Sequence, residues 1–325
     1  MKAVIWGARG SLPTSVRAGT VRDKVFCALQ AARDVNLETD EQINQFIDEQ
    51  LPFAGRGTYS CNTSCVEIQH DDDFIIFDAG SGLRDFGNDF MKSRMTANPP
   101  TFHILMSHIH WDHIHGFPFF VPSYIPGNRI RFYGCHEDIE KAIRGQSTGP
   151  CFPVEYEDLG AEISYQILTP GETVTIQGFA VTPFKQDHPG DSYGYRVERD
   201  GKSIVYSTDS EHKGPDVGKP TYPFIQHFSE ADLVIFDAQY IFLESVNTKE
   251  SWGHSSNMIG VELAVDAKVK RLCLFHHDPL SDDQTLDRIL DETRRYAARY
   301  VKNHQDTEAA EPQILSAYEN LEIDV

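Results

Sequence analysis

Long apolar runs are absent from this chain of 325 residues, and cysteine and positive charge are scarce. No apolar stretch approaches the roughly 18 residues that a membrane-spanning helix needs. The apolar stretch after Lys2 ends at Trp6, which is too short for the core of a secretory signal. Scattered cysteines without a second close pair argue against a zinc ribbon and favour free thiols in a reducing compartment. These absences predict a cytoplasmic protein that does not insert into membranes.

The chain has 29 Lys and Arg against 49 Asp and Glu, so its formal net charge is −20. A field of that sign repels polyanions, which argues against charge-driven binding to long nucleic acid or to anionic membranes. It does not exclude a small anionic substrate, because a bound metal ion reverses the sign of the charge locally. Apolar residues make up 40 % of the chain, as in ordinary globular proteins rather than disordered ones.

Short apolar, β-branched stretches that end in Gly, Asp or Pro recur along the chain and predict strands. They lie at 3–6, 65–69, 74–77, 102–106, 130–133, 174–176, 179–183, 193–197, 203–207, 233–236 and 271–275. Asp200-Gly201 lies between two of them and predicts a tight hairpin, because a type I′ turn needs positive φ at both central residues.

Helical periodicity appears in three places, at 21–51 (as two helices), 259–265 and 286–290. Strands that alternate with helices predict a mixed α/β fold. Since no linker, repeat or low-complexity tract divides the chain, we expect one domain over residues 1–325, with a helical insertion at about 17–56.

The stretch 102–116 reads FHILMSHIHWDHIHG and concentrates metal-ligating side chains directly after a predicted strand. These side chains are His108, His110, Asp112 and His113. Because strand side chains alternate, the first three can converge on one side while the turning backbone brings in His113. Imidazole and carboxylate suit zinc, manganese or iron, and the absence of cysteine leans away from a closed structural zinc site. The sequence therefore predicts an open metal site.

This stretch resembles the His-x-His-x-Asp-His signature of the metallo-β-lactamase superfamily. Other elements of the family pattern occur in the family's order: Asp78 in FDAG, His188 in QDHPG, Asp209 after the strand 203–207, and His276 in FHHD. The resemblance covers essentially the whole chain except 17–56. It implies an αββα four-layer sandwich, in which two mixed sheets face each other and helices lie outside.

The resemblance also implies two divalent metal ions, with zinc as the first choice and manganese or iron as alternatives. One ion would be held by His108, His110 and His188, and the other by Asp112, His113 and His276, with Asp209 bridging them. A water shared by the ions becomes hydroxide near neutral pH and acts as the nucleophile of a hydrolase, with Asp112 among the catalytic residues. His277 is the alternative to His276, although strand alternation sends its side chain to the other face.

His254, in the segment WGHSS, resembles the His-Ser/Thr element of the ribonuclease Z-like phosphodiesterase branch. Its implied role is to stabilise charge at phosphorus or to protonate the departing alkoxide. The alternative is a neighbour of a helix cap with no chemical task. Asn62 and Thr63 resemble the family's Asn-Thr element. Together with Asp78 and His115, they are expected either behind the ligands or beside the substrate.

Two departures from ribonuclease Z guide the choice of substrate. That enzyme carries a long tRNA-gripping arm between the counterparts of His188 and Asp209, whereas here only the 20 residues 189–208 separate them. We therefore expect a phosphodiesterase for small or cyclic phosphodiesters. The alternatives are a lactonase or other carbonyl hydrolase, ribonuclease Z-type RNA processing, a mononuclear iron oxygenase, and a non-catalytic metal-binding regulatory module.

The second departure is the insertion 17–56, which we interpret as a lid, as the interface of a homodimer, or as a helix pair packed on the sheet. The aromatic run 117–120 (FPFF) either lines a pocket or packs in the core. The histidines outside the family pattern, His103 and His212 among them, are expected to be structural or surface residues.

Overall fold

The computed structural model describes residues 1–213, 217, 219, 221–240, 252–304 and 310–325. Within these ranges, strands form two sheets of seven strands each. The strands of the first sheet are β1 Lys2–Gly7, β2 Cys65–His70, β3 Asp73–Phe77, β4 Thr101–Leu105, β5 Arg129–Gly134, β6 Glu162–Ile167 and β14 Glu322–Asp324. Their order is β14-β1-β2-β3-β4-β5-β6. Strands β3 to β6 run parallel, so the loops after β3 and β4 leave the sheet at one edge.

The strands of the second sheet are β7 Val174–Ile176, β8 Phe179–Gln186, β9 Ser192–Arg199, β10 Lys202–Ser207, β11 Leu233–Asp237, β12 Arg271–Phe275 and β13 Gln313–Ser316. They follow one another in chain order across the sheet. Strands β10 to β13 are parallel, while β7 to β10 form an antiparallel meander. Asp200 and Gly201 have φ of 51° and 73°, as the predicted hairpin turn requires.

Nine α-helical segments lie in the described ranges. They are α1 Ala18–Ala31, α2 Asp40–Gln50, α3 Phe53–Arg56, α4 Gly82–Ser93, α5 Trp111–Ile114, α6 Ile139–Arg144, α7 Pro223–Phe228, α8 Asn257–Asp266 and α9 Asp283–Asn303. Ser256 caps α8 and Asp282 caps α9 through side chains that accept hydrogen bonds from backbone N–H groups. No helix in these ranges has the length and apolarity to cross a bilayer.

The main core lies between the two sheets. Phe77 of the first sheet stacks on Tyr206 of the second, with ring centroids 4.9 Å apart, and Phe275 joins the same buried cluster. Two further apolar clusters pack α4 and α6 on the outside of the first sheet, and α7, α8 and α9 on the outside of the second. The architecture is therefore the predicted αββα sandwich.

Residues 17–56 contain helices, as their periodicity predicts, but α1 buries none of its side chains. Val25, Phe26 and Leu29 on α1 are 53 %, 53 % and 67 % exposed. The helix packs against α3, and Lys24 Nζ lies 2.6 Å from Asp283 Oδ2 at the start of α9. The apolar side of α1 thus faces solvent rather than a sheet. The lid and dimer-interface interpretations stay predictions.

Candidate metal centre

The site lies where strands of both sheets end. The loop after β4 runs into the short helix α5 and contributes four of the predicted ligands, while the second sheet contributes His188 after β8, Asp209 after β10 and His276 after β12. Asp209 and His276 have φ of 34° and 59°, a left-handed conformation that costs free energy in residues other than glycine. Such strain concentrates at functional sites, where the surrounding structure holds it in place.

Three histidines form an outer group: His108, His110 and His188. One ring nitrogen of each lies within 4.8 Å of those of the others. His188 Nε2 lies 3.1 Å from His110 Nδ1. His110 is exposed and His108 is buried, so the group opens towards solvent on the side of His110.

Four residues form an inner group: Asp112, His113, Asp209 and His276, all of them buried. His113 Nε2 and His276 Nε2 lie 3.3 Å apart, and both lie within 3.2 Å of Asp209 Oδ1. Asp112 Oδ2 lies 3.2 Å from His276 Nε2. The structure thus brings together every residue that the sequence assigned to the second metal position.

Asp209 connects the two groups through its two oxygens. Oδ1 faces the inner histidines, whereas Oδ2 lies 3.6 Å from His108 Nε2 and 3.8 Å from His188 Nε2. Burial alone would raise the pKa of Asp209, but His276, His113 and His108 hold it well below its usual range. The carboxylate is therefore ionised and placed between the two groups, which is where a bridging ligand belongs.

Hydrogen bonds on the far side of the rings fix which nitrogen each histidine offers. His188 Nδ1 donates to the Gly253 carbonyl oxygen at 2.8 Å, and His113 Nδ1 donates to Asp78 Oδ2 at 2.8 Å. In the neutral form of either ring, Nε2 then carries the lone pair, and it points into the cluster. His108 Nε2 is buried without a hydrogen-bond partner. Such a set of buried lone pairs beside carboxylates suits cations.

The charge balance of the inner group also favours a cation. Burial would lower the pKa of His113, but the carboxylates of Asp209, Asp112 and Asp78 raise it well above its usual value. Burial dominates at His108, which has more imidazole neighbours and a lowered pKa. The donor set therefore suits divalent cations.

Two glycines permit this packing. A Cβ on Gly253 would lie 2.3 Å from His188 Nδ1, and the residue has φ of +83°, which suits glycine. A Cβ on Gly10 would lie 2.6 Å from His276 Nδ1. The next residue, Ser11, donates its backbone N–H to Asp112 Oδ2 at 2.8 Å. The loop after β1 thus holds the inner group in place.

A family model described as a beta-lactamase superfamily domain matches residues 73–277, which is more than half of the chain. The chain belongs to the beta-lactamase superfamily. It is a hydrolase of the metallo-β-lactamase fold, and the fold implies divalent metal ions.

Three relatives illustrate the similarity, each at low sequence identity to this chain. Ribonuclease Z from Haloarcula marismortui is 22 % identical over 267 residues, which cover 66 % of this chain and 80 % of that protein. The metallo-beta-lactamase fold protein YhfI from Bacillus subtilis superposes with a TM-score of 0.62 at 17 % identity, covering 99 % of this chain and 98 % of that one. A diphosphatase of the PhnP family gives a TM-score of 0.58 at 16 % identity, with coverage of 100 % and 97 %. At these identities the two structures show the fold alone.

His254 lies beside both the outer and the inner group of candidate ligands. Its ring stacks on His276 with centroids 5.1 Å apart and contacts His188 edge-on at 5.2 Å. Its Nδ1 donates to Asp237 Oδ2 at 2.9 Å. Burial would lower the pKa of His254, but the charge and hydrogen bond of Asp237 raise it to about 9.

Sequence reasoning missed Asp237. This residue is fully buried at the end of β11, and it also accepts hydrogen bonds from the backbone N–H groups of Ser210 and Gln239. The available signal was an Asp at the end of a predicted strand, directly after Phe236, just as Asp78 follows Phe77.

Asp78 lies directly behind a candidate ligand. Asp78 accepts hydrogen bonds from His113, Ser107 and Tyr206. Asn62 and Thr63 are buried and bind Asp85 and Ser81, so they orient the loop.

His115 bonds to the carbonyl oxygen of Trp111 and lies 3.4 Å from Thr63 Oγ1. Neither of these partners is the side chain of a candidate ligand. His277 points away from the centre, as strand alternation predicts, and its Nε2 donates to the Ala317 carbonyl oxygen at 2.9 Å.

Proposed function

We propose that this protein is a dinuclear metal-dependent phosphodiesterase that hydrolyses small or cyclic phosphodiesters. The observation that carries the proposal is Asp209, whose two oxygens face two separate groups of buried nitrogen and oxygen donors. Two divalent ions, zinc first and manganese or iron as alternatives, would supply Lewis acidity and lower the pKa of a bound water.

The residues around the metal positions have two further roles, which are to orient the ligands and to supply a proton. His188 and His113 are held in one tautomer by Gly253 and Asp78, so their lone pairs stay aimed at the centre. The charge and hydrogen bond of Asp237 raise the pKa of His254 to about 9, so both ring nitrogens carry a proton near neutral pH. Nδ1 donates to Asp237, and Nε2 is left to donate. A protonated imidazole at this position stabilises charge on a phosphoryl oxygen and can protonate a departing alkoxide.

The segment between His188 and Asp209 supports a small substrate. Residues 192–207 are the hairpin of β9 and β10, so no separate arm projects here to grip a folded RNA. The net charge of −20 also opposes long polyanions. A phosphodiester of nucleotide size needs neither an arm nor a basic surface.

Ribonuclease activity is the second candidate function. It is favoured by the relative named ribonuclease Z, which aligns over 267 residues. The same site can hydrolyse an RNA phosphodiester. It can also hydrolyse a lactone whose carbonyl oxygen is polarised. Substrate length and the bond that is cleaved therefore separate the candidates.

The test is a panel of substrates with the protein loaded with zinc, manganese or iron. The panel contains 3′,5′-cyclic and 2′,3′-cyclic nucleotides, a linear dinucleotide, a tRNA precursor and a lactone. We expect the highest kcat/KM on a cyclic nucleotide or dinucleotide, and close to two ions per chain by metal analysis. Preference for the tRNA precursor or lactone would overturn the substrate class. Fewer than one ion per chain would favour a regulatory metal-binding protein.

The Asp209→Ala variant completes the test, with Asp232→Ala as its matched control. Asp232 is also buried, but it directly precedes β11, at the end of that strand opposite to Asp237, and it pairs with Lys270. We expect Asp209→Ala to lose turnover by well over about 100-fold, because residues behind the ligands already contribute 10- to 100-fold and Asp209 faces both groups directly. Asp232→Ala should lower stability and keep kcat. Equal turnover in both variants would remove Asp209 from the mechanism.

A further inference from the structure

A cavity of about 650 Å³ lies along α5, the helix that carries Asp112 and His113, and is lined by aromatic rings that the proposed reaction does not use. It lies between α5, the 3-10 turn Phe117–Phe119 and α6 with the loop after it. Trp111, Phe119, Phe152 and Lys141 belong to its lining. Its volume falls within the range of about 300–1,000 Å³ that is typical of small-molecule sites.

Two of the aromatic rings that line this cavity are largely exposed. Trp111 is 82 % exposed and Phe119 is 57 % exposed, whereas Phe117 and Phe120 in the same aromatic run are fully buried. Phe119 and Phe152 pack edge to face, with centroids 5.6 Å apart, so one ring supports the other. The run therefore contributes to the core and to the cavity at once, and the cavity presents aromatic faces to solvent.

Trp111 connects the cavity to the metal centre. It is the first residue of α5 and lies directly between His110 and Asp112, which belong to the two groups of ligands. Neighbouring Cα atoms are about 3.8 Å apart. The Asp112 carboxylate turns inward from this helix and the Trp111 ring turns outward. The centre opens to solvent on the side of His110, so Trp111, the next residue, lies where the group that adjoins a bound phosphate would leave the centre.

We infer that this cavity binds the nucleobase of the substrate, so that the phosphodiester is a nucleotide rather than a sugar or lipid phosphodiester. The inference rests on the proposed function for its choice of ligand. Every base has a flat face that stacks on Trp or Phe. Lys141 and Asp138, 3.9 Å apart and largely exposed, offer a cation and a carboxylate to the polar edge of the base.

The first experiment measures binding, without turnover, by calorimetry on the zinc-loaded protein. The probes are 5′-AMP and ribose 5-phosphate, which differ by the base. We expect wild-type protein to bind 5′-AMP more tightly, and Trp111→Leu and Phe119→Leu to raise the Kd of 5′-AMP about 5- to 150-fold, the range of one stacking contact. The Kd of ribose 5-phosphate should not change. Phe26→Leu on α1, a phenylalanine of similar exposure, is the matched control and should change neither value.

Equal affinity of wild-type protein for the two probes would overturn the inference. So would an equal loss of affinity for both probes in Phe119→Leu, because that residue would then act through the phosphate site. Phe119 lies outside the ligand motif, so its variant decides the matter if Trp111→Leu loses metal.

The second experiment compares kcat/KM for 3′,5′-cyclic AMP with kcat/KM for glycerol 1,2-cyclic phosphate, which has no base. The inference predicts that Phe119→Leu lowers only the first value. If both substrates turn over and their ratio is unchanged in the variant, the phosphodiesterase stands and this inference fails. If neither substrate turns over but the binding pattern holds, the nucleobase site stands and the proposed function fails.

Discussion

Buried histidines occur in two regions of this molecule, and their surroundings differ. Outside the centre, His103 and His212 each have Nδ1 2.8 Å from a tyrosine hydroxyl, and His277 bonds to a backbone carbonyl oxygen. Burial lowers the pKa of these three to about 4, 3 and 3. They are neutral residues with neutral partners.

Histidines in the centre instead face one another and carboxylates. His113 Nε2 and His276 Nε2 are 3.3 Å apart, although both are ring nitrogens of the same kind. Asp209 Oδ1 lies within 3.2 Å of both. The comparison teaches that burial alone does not identify a ligand. Ring nitrogens that converge without neutral partners, beside carboxylates, identify a place for a cation.

The adjacent residues His276 and His277 give the sharpest test of this comparison, since both are buried. We expect His276→Ala to lose about one of two ions per chain and roughly 10³-fold or more of kcat/KM on bis-p-nitrophenyl phosphate. That loss exceeds the 10- to 100-fold that residues behind the ligands contribute. Metal analysis and steady-state kinetics measure the two effects.

The matched variant His277→Ala should keep both ions. It should lose stability by about 1–3 kcal/mol, since the Ala317 carbonyl oxygen loses its buried donor. Chemical denaturation measures this change. If His277→Ala loses the metal and His276→Ala keeps it, the assignment of the two residues is reversed.

The family resemblance assigns His254 no ligand role, although its ring also lies within ligand distance of His188 and Asp209. Its variant therefore tests whether the residue does acid–base work or holds a metal ion. We expect His254→Ala to lower kcat by about 100-fold, the lower end of the range for general acid catalysis, with little change in KM or metal content. Asp237→Asn should lower kcat less, because the amide oxygen still accepts from Nδ1 but carries no charge. A large rise in KM at constant kcat would instead make His254 a binding residue.

The contiguous part of the site could be predicted from the sequence because its geometry is local. His108, His110, Asp112 and His113 lie within six positions after β4. Strand alternation is the wrong reason for their proximity, because β4 ends at Leu105 and the loop after it and α5 carry all four. His188, Asp209 and His276 are distant in sequence and required the family pattern. Nothing local indicates that Asp237 orients His254, since that contact exists only after β11 has paired with its neighbours in the sheet.

Elements that depend on tertiary contacts were missed. β6 is half exposed and β14 is three residues long, so neither shows an apolar run. β14 is held by pairing with β1, and β6 by pairing with β5. The periodicity of 21–51 predicted helices there, but an apolar stripe does not reveal what it faces, and on α1 it faces solvent.

The smallest predicted effect belongs to a histidine outside the centre and tests whether it is neutral. Because the pKa of His212 is about 3 in the folded protein, against about 6.5 when unfolded, the unfolded state binds more protons below pH 6.5. The contribution of neutral His212 to the free energy of unfolding is therefore complete above pH 6.5, and it is lost as the pH falls from 6.5 towards 3.

The measurement is urea denaturation of wild-type protein and His212→Asn in chelator, so that metal release at low pH does not contribute. The stability advantage of wild type should shrink by about 1.4 kcal/mol between pH 7.5 and pH 5.5, one pKa unit below the unfolded value. Other titrating groups cancel, because both proteins carry them. A constant difference would show that His212 takes up a proton in the folded state as easily as when unfolded. The contrast between a neutral histidine outside the centre and His113 and His254 within it, whose pKa values carboxylates raise, would then fail at His212.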